Sequence, residues 1–155
     1  ESVYDVDYLN HIEANAISVI TLWHVLEHLP NLQKHIDIFR HALKPNGHLV
    51  IAVPNFRSYD AKYYNNYWAA FDVPRHLWHF SRSSIKTLFG QNGFTLVKER
   101  PMVFDSFYVS MLSEKYKSGR MNLLRAFGIG LMSNLKASRT REYSSIIYVF
   151  KKQNT

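Results

Sequence analysis

An α/β fold with a largely parallel sheet is predicted by three features near the start of the chain. Ile17-Ser-Val-Ile-Thr-Leu22 is a short run rich in β-branched residues and apolar on both faces, the pattern of a strand inside a parallel sheet. An amphipathic run follows, and Leu49-Val-Ile-Ala-Val53 then forms a second continuous apolar strand, stopped by Pro54. In open α/β sheets ligands bind beyond the carboxyl ends of the strands. Chemistry is therefore expected just past Leu22, where Trp23, His24, Glu27 and His28 stand.

Each element has its own signal. Ser2 to Tyr4 is a candidate strand, with Asp5 and Asp7 near a turn. Asn31 is placed to cap a helix on which Leu32, Ile36, Phe39 and Leu43 recur at i, i+4, i+7 and i+11, one apolar stripe. Lys44-Pro-Asn-Gly47 is a turn signal. Residues 55–80 are irregular and crowded with aromatic rings, with a short helix expected from Tyr59 to Ala70. Ser81 or Ser83 caps a helix through Phe89, which ends at Gly90-Gln-Asn-Gly93, and Phe94 to Glu99 is a strand. Residues 105–117 and 121–136 read as two helices, and Ser144 to Lys151 is the last strand. Neither repeats nor low-complexity tracts are present.

Composition narrows the function classes. With 155 residues and 46% hydrophobic content the chain is long enough to bury a core, which excludes a disordered tail. No run approaches the ~18 apolar residues of a membrane span, and Glu1-Ser-Val-Tyr-Asp5 has no signal-peptide character. Zero cysteines exclude disulfides, thiolate metal sites and cysteine nucleophiles, and cytoplasm is the expected compartment. The formal charge is +7, and the excess lies in the C-terminal region from Lys115 onward. No stacking platform or recognition motif accompanies that charge, so nucleic acid is not the expected partner.

Two segments carry a resemblance. Trp23-His-Val-Leu-Glu-His-Leu-Pro30, with the strands on either side, resembles the fourth strand, following helix and fifth strand of class I S-adenosylmethionine-dependent methyltransferases. Asp72-Val-Pro-Arg-His-Leu-Trp-His-Phe-Ser81 resembles the segment before the last helix of the same family. The resemblance covers residues 15–100 and implies a Rossmann-like methyltransferase sheet, mostly parallel with an antiparallel last strand and a right-handed crossover. The family's Gly-rich cofactor turn and the acidic residue ending its second strand have no counterpart here. The six glycines are Gly47, Gly90, Gly93, Gly119, Gly128 and Gly130, none in such a turn. Residues 1–155 are therefore expected to be the C-terminal part of a single methyltransferase domain, its N-terminal strands missing, and inactive in isolation.

The resemblance also implies roles. S-adenosylmethionine would be the cofactor, with Leu22, Trp23, His24 and His28 near its methionine end and Asp5 at the adenine amino group. The whole protein would transfer a methyl group to a small-molecule acceptor. In this fold the fourth strand pairs with the first, which leaves Ile17 to Leu22 as an apolar edge; a second copy, giving a homodimer, or residues 1–12 would cover it. The competing reading is a non-catalytic methyltransferase-like module that binds an anionic partner through its basic C-terminal region.

Further constellations have chemistry of their own. His24-Val-Leu-Glu-His28 also fits the H-x-x-E-H zinc-peptidase motif, but it follows directly on a strand and Pro30 breaks any helix that would carry it. The aromatic stretch suits an apolar flap that excludes water from methyl transfer, with Tyr64, Trp68, Phe71 and Trp78 as acceptor contacts and about half of the rings serving as core. His76 is the first candidate for general base, with His79 beside it, and Arg75 could hold an anionic group on the acceptor. His76 and His79 lack a carboxylate or third histidine at suitable spacing, so no metal is expected. Met121 to Lys136 is amphipathic with basic flanks, and packing or a dimer contact is favoured over a membrane surface.

Overall fold

The computed structural model describes residues 11–153; Ser2 to Tyr4 and Asp5 lie outside them. Four strands form one sheet in the order β1-β2-β4-β3: β1 (Ile17–Trp23), β2 (Leu43–Pro54), β3 (Phe94–Pro101) and β4 (Ser145–Lys152). β1 and β2 are parallel, and β4 runs antiparallel to both β2 and β3. Three strands thus share a direction and the last opposes them, as expected. β1 reaches β2 through α1 (Leu32–Ala42), and α3 (Arg82–Gln91) leads into β3. Between them lie α2 (Tyr59–Tyr64) and two 3-10 turns, Asn65–Tyr67 and Ala69–Phe71, and α4 (Asp105–Ser118) and α5 (Leu123–Thr140) precede β4.

Local chemistry explains most boundaries; it corrects three expectations and decides between two candidates for a fourth. Asn31 occupies the position before α1 but has φ 49° and makes no side-chain cap. Its carbonyl instead accepts the His35 N–H at 3.4 Å. The Lys44-Pro-Asn-Gly47 turn is absorbed into β2 as an irregularity: Ile17 pairs with Leu43, yet Val19 pairs with His48. Gly47 is required there, because a Cβ would lie 2.9 Å from the Lys44 carbonyl oxygen and 3.2 Å from that of Ser18. The helix expected through Ala70 stops at Tyr64, because Asn65 takes φ 50°. Of the two candidate caps for α3 it is Ser81 that serves, in a reciprocal box with Ser84: the Ser84 N–H donates to Ser81 Oγ at 3.1 Å and the Ser81 N–H to Ser84 Oγ at 2.8 Å.

Two cores result. The main one joins Ile36 and Phe39 of α1 and Ile85 and Phe89 of α3 to Leu49, Ile51, Tyr148 and Phe150 of the sheet. The second gathers Ala61, Tyr64, Trp68 and Val109 under the aromatic stretch. Asp60, fully buried, ties that second core to the sheet: it accepts hydrogen bonds from Ser133 Oγ (2.6 Å), Ser144 Oγ (2.7 Å) and Trp68 Nε1 (2.8 Å). A buried carboxylate is tolerable only when its oxygens are paired in this way. Among the described residues β1 has a neighbour on one side only, and Val19 and Trp23 are more than half exposed.

Candidate active site at the strand ends

The residues past β1 turn sharply. His24 takes φ 51° while its N–H still donates to the Ala52 carbonyl at 3.0 Å, so its ring leaves the sheet at the carboxyl rim. The short 3-10 turn Leu26–His28 follows and buries Glu27. His24 and His28 therefore do not share a helical face, and the arrangement that a zinc peptidase requires is absent. The His24 ring lies between two carboxylates, Nδ1 3.2 Å from Glu27 Oε1 and Nε2 3.2 Å from Asp105 Oδ2. Hydrogen bonds to Asp105 and then Glu27 raise its pKa to about 9 against the opposing effect of burial. At neutral pH both ring nitrogens donate, and His24 is a fixed cation at the rim. Asp105 escaped the sequence reading because it comes from the start of α4, and only folding brings it to His24.

Both sequence segments that carried the resemblance meet here. The N–H groups of Leu77 and Trp78 donate to the Glu27 carbonyl at 2.8 and 3.2 Å, and Trp78 Nε1 donates to the Leu29 carbonyl at 2.8 Å. His28 returns the contact, its Nδ1–H donating to the Arg75 carbonyl at 3.0 Å. His76 Nδ1–H donates to the Ala70 carbonyl at 2.8 Å, and burial lowers its pKa. The His28 and His76 rings meet edge to face with centroids 4.6 Å apart. His79 is exposed and donates through Nε2 to the Phe71 carbonyl, also at 2.8 Å.

The other sequence candidates divide. Trp23, 52% exposed, stands open at the rim, and Leu22 beneath it is buried. Trp78 is exposed but anchored by its indole N–H, and Phe71 is half-buried against Trp68 and His79. Tyr64 and Trp68 are 1% and 2% exposed and belong to the second core, their polar atoms bonded to Glu114 and Asp60. The structure thus withdraws these two from any surface an acceptor could touch. Arg75 is exposed and pairs with Asp72 Oδ1 at 2.7 Å. A separate hollow of about 410 Å³, lined by Asn15, Arg40, His41 and Lys152 among others, opens at the amino ends of β1 and β2, away from these groups.

A family profile described as a methyltransferase domain matches residues 4–99, more than half of the chain and both segments just joined. The chain belongs to the class I S-adenosylmethionine-dependent methyltransferase family. No curated protein sequence matches this methyltransferase-family chain. Solved structures similar to it include a methyltransferase of Thermotoga maritima described as a possible histamine N-methyltransferase, with 11% identity, TM-score 0.61, and coverage of 92% of this chain and 59% of that one. The cyclase SpnF shares 11% identity at TM-score 0.56, covering 92% of this chain and 52% of its own. A Haemonchus contortus phosphoethanolamine N-methyltransferase, solved with S-adenosylhomocysteine, shares 12% identity at TM-score 0.52, covering 94% of this chain and 35% of its own. At such identities the likeness is one of fold. The chain spans little more than half the length of the first of these neighbours, from 52% to 59%.

Proposed function

We propose that the whole protein carrying this chain transfers a methyl group from S-adenosylmethionine to a small-molecule acceptor, and that this chain supplies the acceptor side of the site. The observation that carries the reading is the junction at Glu27, where the two segments of the family profile are hydrogen-bonded together at the carboxyl rim of β1. The rim fits the methionine end of the cofactor. An open indole at Trp23 suits a sulfonium by cation–π attraction, and Glu27 and Asp105 already balance the charge of His24. Leu22, Trp23 and His24 would hold the cofactor, which when bound supplies an electrophilic methyl group.

On the other side, the chain's own groups act on the acceptor. The carboxylate of Glu27 and the imidazoles of His28 and His76, one ligand atom of each within 4.8 Å of the others, form a cluster able to hold its nucleophilic atom and relieve it of a proton. The 71–79 segment, fixed to the β1 rim rather than free of it, keeps water from that side. The test is calorimetry of the whole protein with S-adenosylmethionine and S-adenosylhomocysteine, followed by mass spectrometry of candidate acceptors for an added methyl. Binding and a methylated product are expected. Absence of binding, beside salt-sensitive affinity for nucleic acid, would favour the non-catalytic module. Binding without methyl transfer to any acceptor would place the chain with fold neighbours that, like the cyclase, are named for other chemistry.

A further inference from the structure

Three acceptor atoms at the junction have no donor to answer them among the described residues. Glu27 is 1% exposed; its Oε1 receives the His24 Nδ1–H, but its Oε2 is fully buried and lacks any hydrogen-bond partner. His28 and His76 each spend Nδ1 on a backbone carbonyl, of Arg75 and Ala70 respectively. A carbonyl can only accept, so both imidazoles carry a proton on Nδ1, and in the neutral form each presents an Nε2 lone pair. The Nε2 atom of His76 lies 3.8 Å from Asp72 Oδ2, beyond hydrogen-bond range and with acceptor facing acceptor. One ligand atom from each of Glu27, His28 and His76 lies within 4.8 Å of the other two. An unpaired buried carboxylate oxygen is costly, and the neutral imidazole nitrogens that share its cluster offer it no donor.

We infer that Glu27, His28 and His76 form a binding site for a zinc-class divalent cation. The chemistry of the set supports this over an incidental cluster. Two imidazoles and one carboxylate are the ligands of open catalytic zinc centres, which leave a fourth position for water or substrate. Imidazole nitrogen excludes magnesium and calcium as preferred occupants. Metal-ligating histidines characteristically donate their other ring nitrogen to a backbone carbonyl, which fixes tautomer and ring plane, and both rings here are held so before any cation arrives. The other oxygen of Glu27, Oε1, is likewise held by its hydrogen bond with His24 Nδ1. Tetrahedral zinc ligands stand about 3.3 Å apart, so the three atoms would close by at most about 1.5 Å, within side-chain adjustment. His28 is exposed, giving the cation a path from solvent. The sequence concealed the site because the nearest pair in the chain, His76 and His79, is not the pair that folding assembles.

The site follows from side-chain geometry; only its place beside the methyl acceptor rests on the methyltransferase reading. The two are separated by titrating the whole protein, freed of metal by chelator, with zinc alone by calorimetry and with cobalt by visible ligand-field absorption. One equivalent of zinc and tetrahedral-type cobalt bands are expected. His28→Asn, His76→Asn and Glu27→Gln should each weaken zinc binding by more than the roughly 10- to 100-fold typical of losing an outer-shell partner. His79→Asn, whose Nε2 is spent on Phe71, should leave affinity unchanged. Circular dichroism identifies any variant that fails to fold, and the unmutated protein decides independently. Failure of the unmutated protein to bind zinc, or full affinity in the His28→Asn/His76→Asn double variant, would overturn the site. S-adenosylhomocysteine binding measured in parallel reports on the methyltransferase reading alone, whatever the zinc result.

Discussion

Asp60 shows how much one side chain can hold in place. Its carboxylate gathers a serine from α5, a serine beside β4 and the indole of Trp68, so its loss leaves three donors buried together. Asp60→Ala is expected to cost about 3 kcal/mol or more, read as a lowered denaturant midpoint at unchanged slope. Trp23, 52% exposed, is the opposite case: among the described residues no side-chain hydrogen bond or aromatic pair holds it. Trp23→Ala should leave stability within about 0.5 kcal/mol of the parent. The same change should weaken S-adenosylhomocysteine or S-adenosylmethionine binding roughly tenfold, with the larger effect on the sulfonium. Equal stability with unchanged affinity for both would remove Trp23 from the cofactor site.

Elements are joined through small residues and ion pairs. α5 turns Ala126, Gly130, Ser133 and Ala137 inward and leaves Leu124, Phe127 and Leu135 exposed, so its buried stripe is small residues rather than large apolar ones. A Cβ on Gly130 would lie 2.7 Å from the Phe107 ring and 3.0 Å from its Cα, whereas one on Gly128 meets nothing within 4 Å. Gly128→Ala should therefore raise thermal stability by about 1 kcal/mol through helix propensity. Gly130→Ala should lower it despite the same propensity gain, because α4 must move away by backbone displacement. On the sheet side, Arg82 of α3 meets Glu99 of β3 at 2.7 Å and Lys86 adds a contact at 3.0 Å. Burial opposes ionisation of Glu99, but those two cations prevail and hold its carboxyl below the usual range. A depressed folded-state pKa contributes stability above the ordinary carboxylate range that is lost as pH falls through the folded value. Glu99→Gln should accordingly lower stability at neutral pH and above, flatten the acid limb of the stability–pH curve, and converge on the parent once pH falls below the folded value.

At the scale of the molecule, β1 is the edge of the sheet among the described residues, and its outer backbone groups invite a partner. In the whole protein the amides of β1 should exchange as slowly as those of β4, which is paired on both sides. For the isolated chain, the expected cover is a second copy or the residues before β1. A monomer by size-exclusion chromatography whose β1 amides exchange fast would rule out both covers. No helix among the described residues is long and apolar enough to cross a membrane.

Periodicity and turn chemistry were enough to place the strands and most of the helices, because burial demands apolar residues at spacings that sequence displays directly, while the opposed direction of the last strand came from the family resemblance. They also located the rim residues Trp23, His24 and His28, since a strand's carboxyl end follows from where its apolar run stops. Caps and breaks were less legible: Asn31 and Asn65 take left-handed backbone that no spacing rule foretells. Two things only the tertiary structure decided. Tyr64 and Trp68 face a core and not an acceptor, because the choice of face depends on what α4 and α5 bring against them. Asp105 pairs with His24, and His28 and His76 converge on Glu27, because distant segments become neighbours only when the 71–79 stretch is hydrogen-bonded onto the end of β1.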